Sequence, residues 1–424
     1  MIDQYTSYKD SRIEWVGLIP EHWKTVPNKR IMHKEKAICE KYDGEDILSL
    51  TQRGVIVRDL DAGGKMPTTF DGYQYLEPGE LLMCLFDIDV TPRCVGRVYQ
   101  AGISSPAYSR FIVHENADWN YYYYYYLMID NSKELLHLAK NLRHSFTEEQ
   151  LGMLKVPFPP IAEQLAISSY LDKQLRIIDI LIAESKVSIE EYKQWKKSII
   201  FEAVTKGLNR HATMKDSGIS WIGDVPASWN IRKIKNGFSI VSGATPKSDK
   251  KEYWDGDVIW ITPADYKTED KYIRGGRRNL SDEGYSSCGT TVVPAGSLIF
   301  SKRAPVGTVA INSVPLCTNQ GCLSCIPNST ADSEYFYYAM SVFTEQFELF
   351  SSGTTFKEIS ANAFANFTLP CPPIAEQKEI AKYLSVKCSE IDDIRREKQA
   401  LIDDMEAYKR SLIYEVVTGK RKVV

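Results

Sequence analysis

The chain has 424 residues, 43% hydrophobic and 25% charged, which is enough apolar material for two or three cores and excludes a disordered chain. With 52 Lys and Arg against 55 Asp and Glu the formal charge is −3, which excludes a broadly basic nucleic-acid binder but leaves room for local basic patches. No apolar run is long enough to cross a membrane, the start "MIDQYTSYKDSRIEW" lacks signal-peptide blocks, and nine scattered cysteines make no secreted disulfide framework, so a cytoplasmic protein with reduced thiols is expected.

In chain order, the first signal is a lead segment over 1–23 containing "KDSRIEWVGLIPEHW". A body over 24–155 follows, in which short apolar runs such as "GVIVRDL" and "ELLMCLF" alternate with Gly, Pro, Asp and Asn clusters, the rhythm of a mainly β or mixed domain. The body closes on "ADWNYYYYYYLMIDNSKELLHLAKNL", which reads as a helix. Its run Tyr121 to Tyr126 suits buried aromatic anchors, with a base-stacking platform as the alternative. "PPIAEQ" at Pro159 to Gln164 then opens a long helix within 156–210. No Gly or Pro interrupts Ile161 to Lys206, roughly 70 Å of helix, and apolar residues at three- and four-residue spacing indicate a coiled coil.

The same plan then recurs. "KDSGISWIGDVPASW" in a second lead, 211–229, repeats the first at an offset of 206 residues. A second body, 230–368, carries "DVIWIT", "SLIFSK" and "TVAIN" and closes on the helical stretch "ADSEYFYYAMSVFTEQFELF". "PPIAEQ" returns at Pro372 to Gln377, at an offset of 213, and opens a helix within 369–424 whose apolar positions match the first, Ile167 with Ile380, Leu171 with Leu384 and Trp195 with Tyr408. Each long helix has the other as its natural partner. The hexapeptide prolines suit the first helical turn, Ile161 and Ile374 are expected to pack toward their bodies, and Glu163 and Glu376 to favour the helix dipole.

Catalytic patterns do not emerge: there is no G-x-G-x-x-G opening a helix, no Walker loop and no H-E-x-x-H, and "FPPI" and "CPPI" lack the Asn or Asp of an amino-methyltransferase motif. Cys322 and Cys325 form one C-x-x-C near Cys317, and strand cysteines are favoured over a zinc site, which would want a fourth ligand. Polar and basic loop stretches say more. The second body offers "SGATPKSDKK", "SKRAPVG", "CTNQG" and "SSGTTFKEIS", and over 231–310 its basic residues outnumber acidic ones 13 to 9. The first offers "LTQRG", "AGGKMPTTF", "VTPRCVGR", "SPAYSRF" and "NLRHSF". Gly admits close phosphate approach, Arg and Lys fork onto guanine, and Asn and Gln onto adenine.

The twin "PPIAEQ" helices, the twin "S-x-I-x-W-[VI]-G-x-[IV]-P-x-x-W" leads and two dissimilar bodies with "TNQG" and "GTTFKEIS" resemble the specificity subunit of a Type I restriction-modification system over essentially the whole chain. The resemblance implies an α+β fold with two mixed α/β target-recognition domains joined by two long antiparallel helices in a pseudo-twofold arrangement. It implies a non-catalytic subunit in phage defence. Its partners would be double-stranded DNA, two methyltransferase subunits and restriction subunits with endonuclease and translocase activity, and no membrane. S-adenosylmethionine, ATP and Mg would belong to partner subunits, with no cofactor in this chain. The residues it implies for DNA are Thr245, Lys247, Lys302, Arg303, Asn319, Gln320, Thr355 and Lys357 in the second body. In the first, Arg53, Lys65, Thr91, Arg93, Arg110, Arg143 and His144 are placed toward DNA. Alternatives are a coiled-coil scaffold without DNA binding, the specificity subunit of a methylation-only system, or an enzyme fused to recognition domains.

Overall fold

The uninterrupted stretches after each "PPIAEQ" form two helices, a central one over Ile161–Lys206 and a C-terminal one over Ile374–Val417. The computed structural model describes residues 4–61, 67–139, 145–303, 305–353 and 357–423. The chain divides into two units whose boundaries cut through both helices: Met1–Lys186 with Gln399–Val424, and Val187–Lys398. Each unit thus takes one lead, one body and a piece of each helix. None of the described helices is long and apolar enough to cross a membrane.

In the first unit the lead is a hairpin of strands Tyr8–Asp10 and Leu18–Pro20. The strand entering the body, Lys24–Pro27, pairs with the strand leaving it, Lys155–Phe158. Between them lies a four-stranded antiparallel sheet in the order Met32–Lys34, Ser109–Val113, Leu81–Met83, Val95–Arg97, with a hairpin of Leu48–Thr51 and Gly54–Val57 against its edge. Gly96 admits that hairpin, since a Cβ there would lie 2.6 Å from Val55. The helix Trp119–Ser132 covers the sheet at Val95–Arg97, and all six tyrosines are buried, which favours aromatic anchors over a stacking platform.

The second unit repeats the frame around a different sheet. Strands Met214–Asp216 and Asp224–Pro226 form its lead hairpin, and Asn230–Lys233 pairs with Thr368–Cys371 in the register of the first unit. Its body has a five-stranded sheet in the order Phe238–Ser242, Cys322–Pro327, Leu298–Ser301, Val309–Asn312, Tyr272–Ile273, the last pair parallel. A three-stranded sheet is built on Trp254–Ile261. The core runs from the body strands through helix Ser333–Val342 to Val204 of the central helix and Ile380 and Leu384 of the C-terminal one.

Within each unit the helix segments run antiparallel. In the first, Asp179 pairs with Lys409 and Lys186 with Glu406; in the second, Lys196 pairs with Asp392 while Lys398 lies over the Tyr192 ring. Asp179 and Lys196 recur as Asp392 and Lys409 at the 213-residue offset, so the repeat carries its own ion pair.

The hexapeptide does more than open a helix. Glu163 accepts from the indole N–H of the buried lead residue Trp23 at 2.9 Å, and Glu376 accepts from Trp229 at 2.9 Å. Gln164, fully buried, donates to Pro159 O at 2.8 Å and accepts from the backbone N–H of Asp118, the N-cap of the body helix; Gln377 does the same for Pro372 and Asp332. The body helix returns the contact: Tyr121 donates to Val417 O at 2.8 Å and Tyr335 to Val204 O at 3.2 Å. Ile161 and Ile374 do not pack toward the bodies as expected; they are 44% and 38% exposed, because the buried Trp and Gln occupy the inner face of the joint.

Candidate nucleic-acid interface

In the second unit, four loop stretches far apart in sequence are stitched together by backbone hydrogen bonds. Ala244 N donates to Thr318 O at 3.0 Å, Lys302 N to Gly321 O at 2.8 Å, and Ile359 N to Lys302 O at 3.1 Å. "SGATPK", "SKR", "TNQG" and Lys357 and Glu358 of "TTFKE" therefore form one cluster at the end of strands Phe238–Ser242, Leu298–Ser301 and Cys322–Pro327. Two glycines allow the approach: a Cβ on Gly243 would lie 2.1 Å from Thr318 O, and one on Gly321 would meet Pro263 at 3.0 Å and the Arg303 guanidinium at 3.2 Å.

The side chains on this cluster are partly committed. Thr245 donates to Gln320 Oε1, and Asn319 Oδ1 accepts from Gly321 N at 2.8 Å. Both amides thereby turn their donor ends away from these partners. Lys302, 14% exposed, pairs with Glu358 at 2.9 Å, whereas Arg303, 39% exposed, only reaches the same carboxylate at 3.8 Å, leaving its fork more available. Lys247 and Lys357 are exposed. Thr355 lies outside the described residues.

Sequence reasoning missed the support of this cluster. Asp265 accepts from Thr262 N at 2.8 Å and from Arg277 N at 3.1 Å, and Arg277 also donates to Ala264 O at 3.0 Å. This braces Pro263 against Gly321, with the highly exposed Arg277 beside the loops. The capping-box spacing of Thr262 and Asp265 and the "GGRR" stretch were the available signals. Burial pushes the Cys317 thiol up to about 11 and Cys322 up to about 12, as expected of strand cysteines in a core.

The first unit distributes its expected residues differently. Lys65, Arg143 and His144 lie outside the described residues. Thr91 turns its carbonyl to Lys133 Nζ at 2.8 Å. Arg53, exposed in the turn after Leu48–Thr51, and Arg93, whose Nη1 donates to Tyr123 at 3.4 Å, both line a groove of about 990 Å³ between the body and the two helix segments of this unit. Arg110 is a correction. It sits inside strand Ser109–Val113, 6% exposed, with Nε donating to Glu80 at 2.7 Å and Nη2 to the other oxygen, so its fork is spent on a buried carboxylate rather than offered to a duplex. Arg97, which the sequence did not mark, stacks over Tyr123 at 4.3 Å and donates to Asp172 at 2.7 Å, fixing the body to the central helix.

Comparisons with known proteins agree with this geometry. Residues 226–403 match the Type I restriction modification DNA specificity domain. The MjaIX specificity subunit of a type I restriction enzyme from Methanocaldococcus jannaschii is 37% identical over 183 residues, covering 42% of this chain and 42% of that relative, so the match spans less than half of its length. Among solved structures, a chain of a type I restriction-modification system, studied for complex assembly and conformational transition, matches with a TM-score of 0.74 at 14% identity over 94% of this chain and 98% of that one. The HsdS subunit from Thermoanaerobacter tengcongensis matches with a TM-score of 0.56 at 14% identity, over 95% and 98%. The doubled frame, the loop cluster within the matched stretch and the shared fold lead to one conclusion: residues 226–403 match a Type I restriction modification DNA specificity domain, and the chain as a whole shares the fold of the HsdS subunit.

Proposed function

We propose that the chain reads a bipartite, asymmetric DNA site, one half with each body, and that its two long helices set the unread spacer and dock methyltransferase subunits. The observation that carries this reading is the stitched loop cluster of the second unit. It gathers Arg, Lys, Asn, Gln and Thr side chains on a glycine-permitted surface inside the stretch that matches the DNA specificity domain. Two dissimilar bodies on one repeated frame suit two dissimilar half-sites, about 34–36 Å or one helical turn apart in neighbouring major grooves. The chain itself performs no catalysis in this reading. S-adenosylmethionine, ATP and Mg belong to methyltransferase and restriction partners, and the net charge of −3 leaves much of the phosphate neutralisation to them.

The test is to map modified bases in host DNA with and without this gene, then with Arg303→Ala. A split motif should vanish with the gene, and the variant should relax one position at a cost of ~1–3 kcal/mol. No lost motif overturns the reading, and a uniform loss across sequences reduces Arg303 to a phosphate contact.

A further inference from the structure

The groove of the first unit collects charge in a way its structural needs do not explain. Seven basic and three acidic side chains line it. The three acids are each already paired: Asp172 with Arg97, Asp179 with Lys409 and Glu406 with Lys186. Arg53, Arg93, Arg176 and Arg410 remain, none with a carboxylate partner among the described residues, in a chain that is acidic overall. They come from four separate places: the hairpin turn, the loop before Val95–Arg97, the central helix and the C-terminal helix.

We propose that this groove is a sequence-blind phosphate clamp for duplex DNA, in which Arg176 and Arg410 hold the backbone beside the half-site read by the first body. This rests on the DNA-reading function proposed above and adds to it a contact that carries no base information. An arginine fork matches a phosphate bidentately, and residues projecting from the side of a rigid helix suit backbone positioning better than entry into a groove. Arg53 and Arg93, expected from the sequence to face DNA, line the same groove and give it its direction.

The second unit supplies the internal control. At the 213-residue offset Asp179 and Lys409 correspond to Asp392 and Lys196, so the helix-pairing residues are kept. Arg176 corresponds to Ser389, and Arg410 to Lys197. The frame therefore does not require an arginine at either position.

The experiment uses the full chain assembled with its methyltransferase partner, as wild type, Arg176→Ser, Arg410→Gln and the double variant. Binding is measured over a salt series to a short random-sequence duplex and to the cognate duplex found by modified-base mapping. Both residues are exposed, so thermal unfolding should not change. The double variant should flatten the dependence of log affinity on log salt by about 2, with roughly a tenfold loss per arginine near 0.1 M salt, equal on both duplexes. An unchanged slope overturns the clamp, as does a loss confined to the cognate duplex, which would make these arginines base readers. Failure of the variants to bind the methyltransferase, with the salt slope of any residual complex unchanged, overturns it in favour of protein docking. If the wild type prefers no duplex at all, base reading fails, while the slope on random DNA still decides the clamp.

Discussion

The two units share a frame and differ in what they hold in it. Trp23 and Glu163 answer to Trp229 and Glu376, Gln164 and Asp118 to Gln377 and Asp332, and Tyr121 with Val417 to Tyr335 with Val204. These contacts link lead, body helix and both long helices, and each satisfies a buried polar group that would otherwise be costly. The bodies obey no such constraint. One is a four-stranded antiparallel sheet, the other a five-stranded mixed sheet with a second sheet beside it. Even the cation on the paired tyrosines differs, Arg97 over Tyr123 and Tyr124 in one and Lys271 over Tyr337 and Tyr338 in the other. A fixed polar joint lets the inserted sheet change without disturbing the helices.

The comparison is most sharply tested where one arginine expected to face DNA is structural in one body and another is offered to solvent in the other. Arg110→Ala strands Glu80, itself 6% exposed, without its ion partner, and should cost about 3–5 kcal/mol of stability in denaturant unfolding. Arg303→Ala removes a half-exposed pair at 3.8 Å and should cost about 0–1 kcal/mol. Equal stability losses would erase the distinction between a structural arginine and a half-exposed one.

That distinction marks the limit of the sequence. The long helices, the doubled plan and the buried tyrosine helix were legible, because each depends on local periodicity or on a repeat. Arg110 was not: "SPAYSRF" looks like a polar loop, and only the pairing of Ser109–Val113 with Leu81–Met83 brings it to Glu80. The loop cluster was legible as four stretches but not as one surface, since its assembly needs the sheet order and contacts such as Asn319 N to Ile261 O. The first-turn place of Glu163 and Glu376 was legible, but their role in the joint was not, because the partners of the hexapeptide polar end, a lead tryptophan and a body-helix N-cap, lie some 45 to 147 residues away.

A smaller difference separates the two joints. Glu163 accepts from Trp23, from His22 at 2.6 Å and from Tyr5 at 2.8 Å, whereas among the described residues Glu376 accepts from Trp229 only. Burial pushes the Glu163 carboxyl up, but the hydrogen bonds from Trp23, His22 and Tyr5 outweigh it and hold it below its ordinary value. A carboxylate lowered in the folded state binds fewer protons there than when unfolded. Its contribution is thus full above the unfolded value of about 4.3 and is lost as pH falls through the folded one. Glu163→Gln should cost about 1.5–3 kcal/mol near neutral pH and flatten the acid limb of the stability profile, and Glu376→Gln should cost less. An acid limb unchanged by Glu163→Gln would mean that the extra donors add nothing to the joint.

The smallest effect concerns the ion pair that the helices carry twice. Asp179 is 57% and Lys409 28% exposed, while Asp392 is 39% and Lys196 26%, and Asp392 also accepts from Arg395 at 3.1 Å. Such pairs give about 0.2–1 kcal/mol each, less in salt, and the more sheltered one in the second unit should lie nearer the upper end. Double-mutant cycles on Asp179 with Lys409, and on Asp392 with Lys196, isolate these couplings. Their worth would lie in register more than in stability. Ile178, Ile182 and Ile402 bury a seam of similar residues that would tolerate a one-turn slip, and a charge pair does not, because the slip sets a carboxylate beside the wrong neighbour. Zero coupling in both cycles would assign register to the apolar seam and the joints alone. A coupling in the second unit and none in the first would instead place the register lock in the half whose helices carry the more sheltered pair.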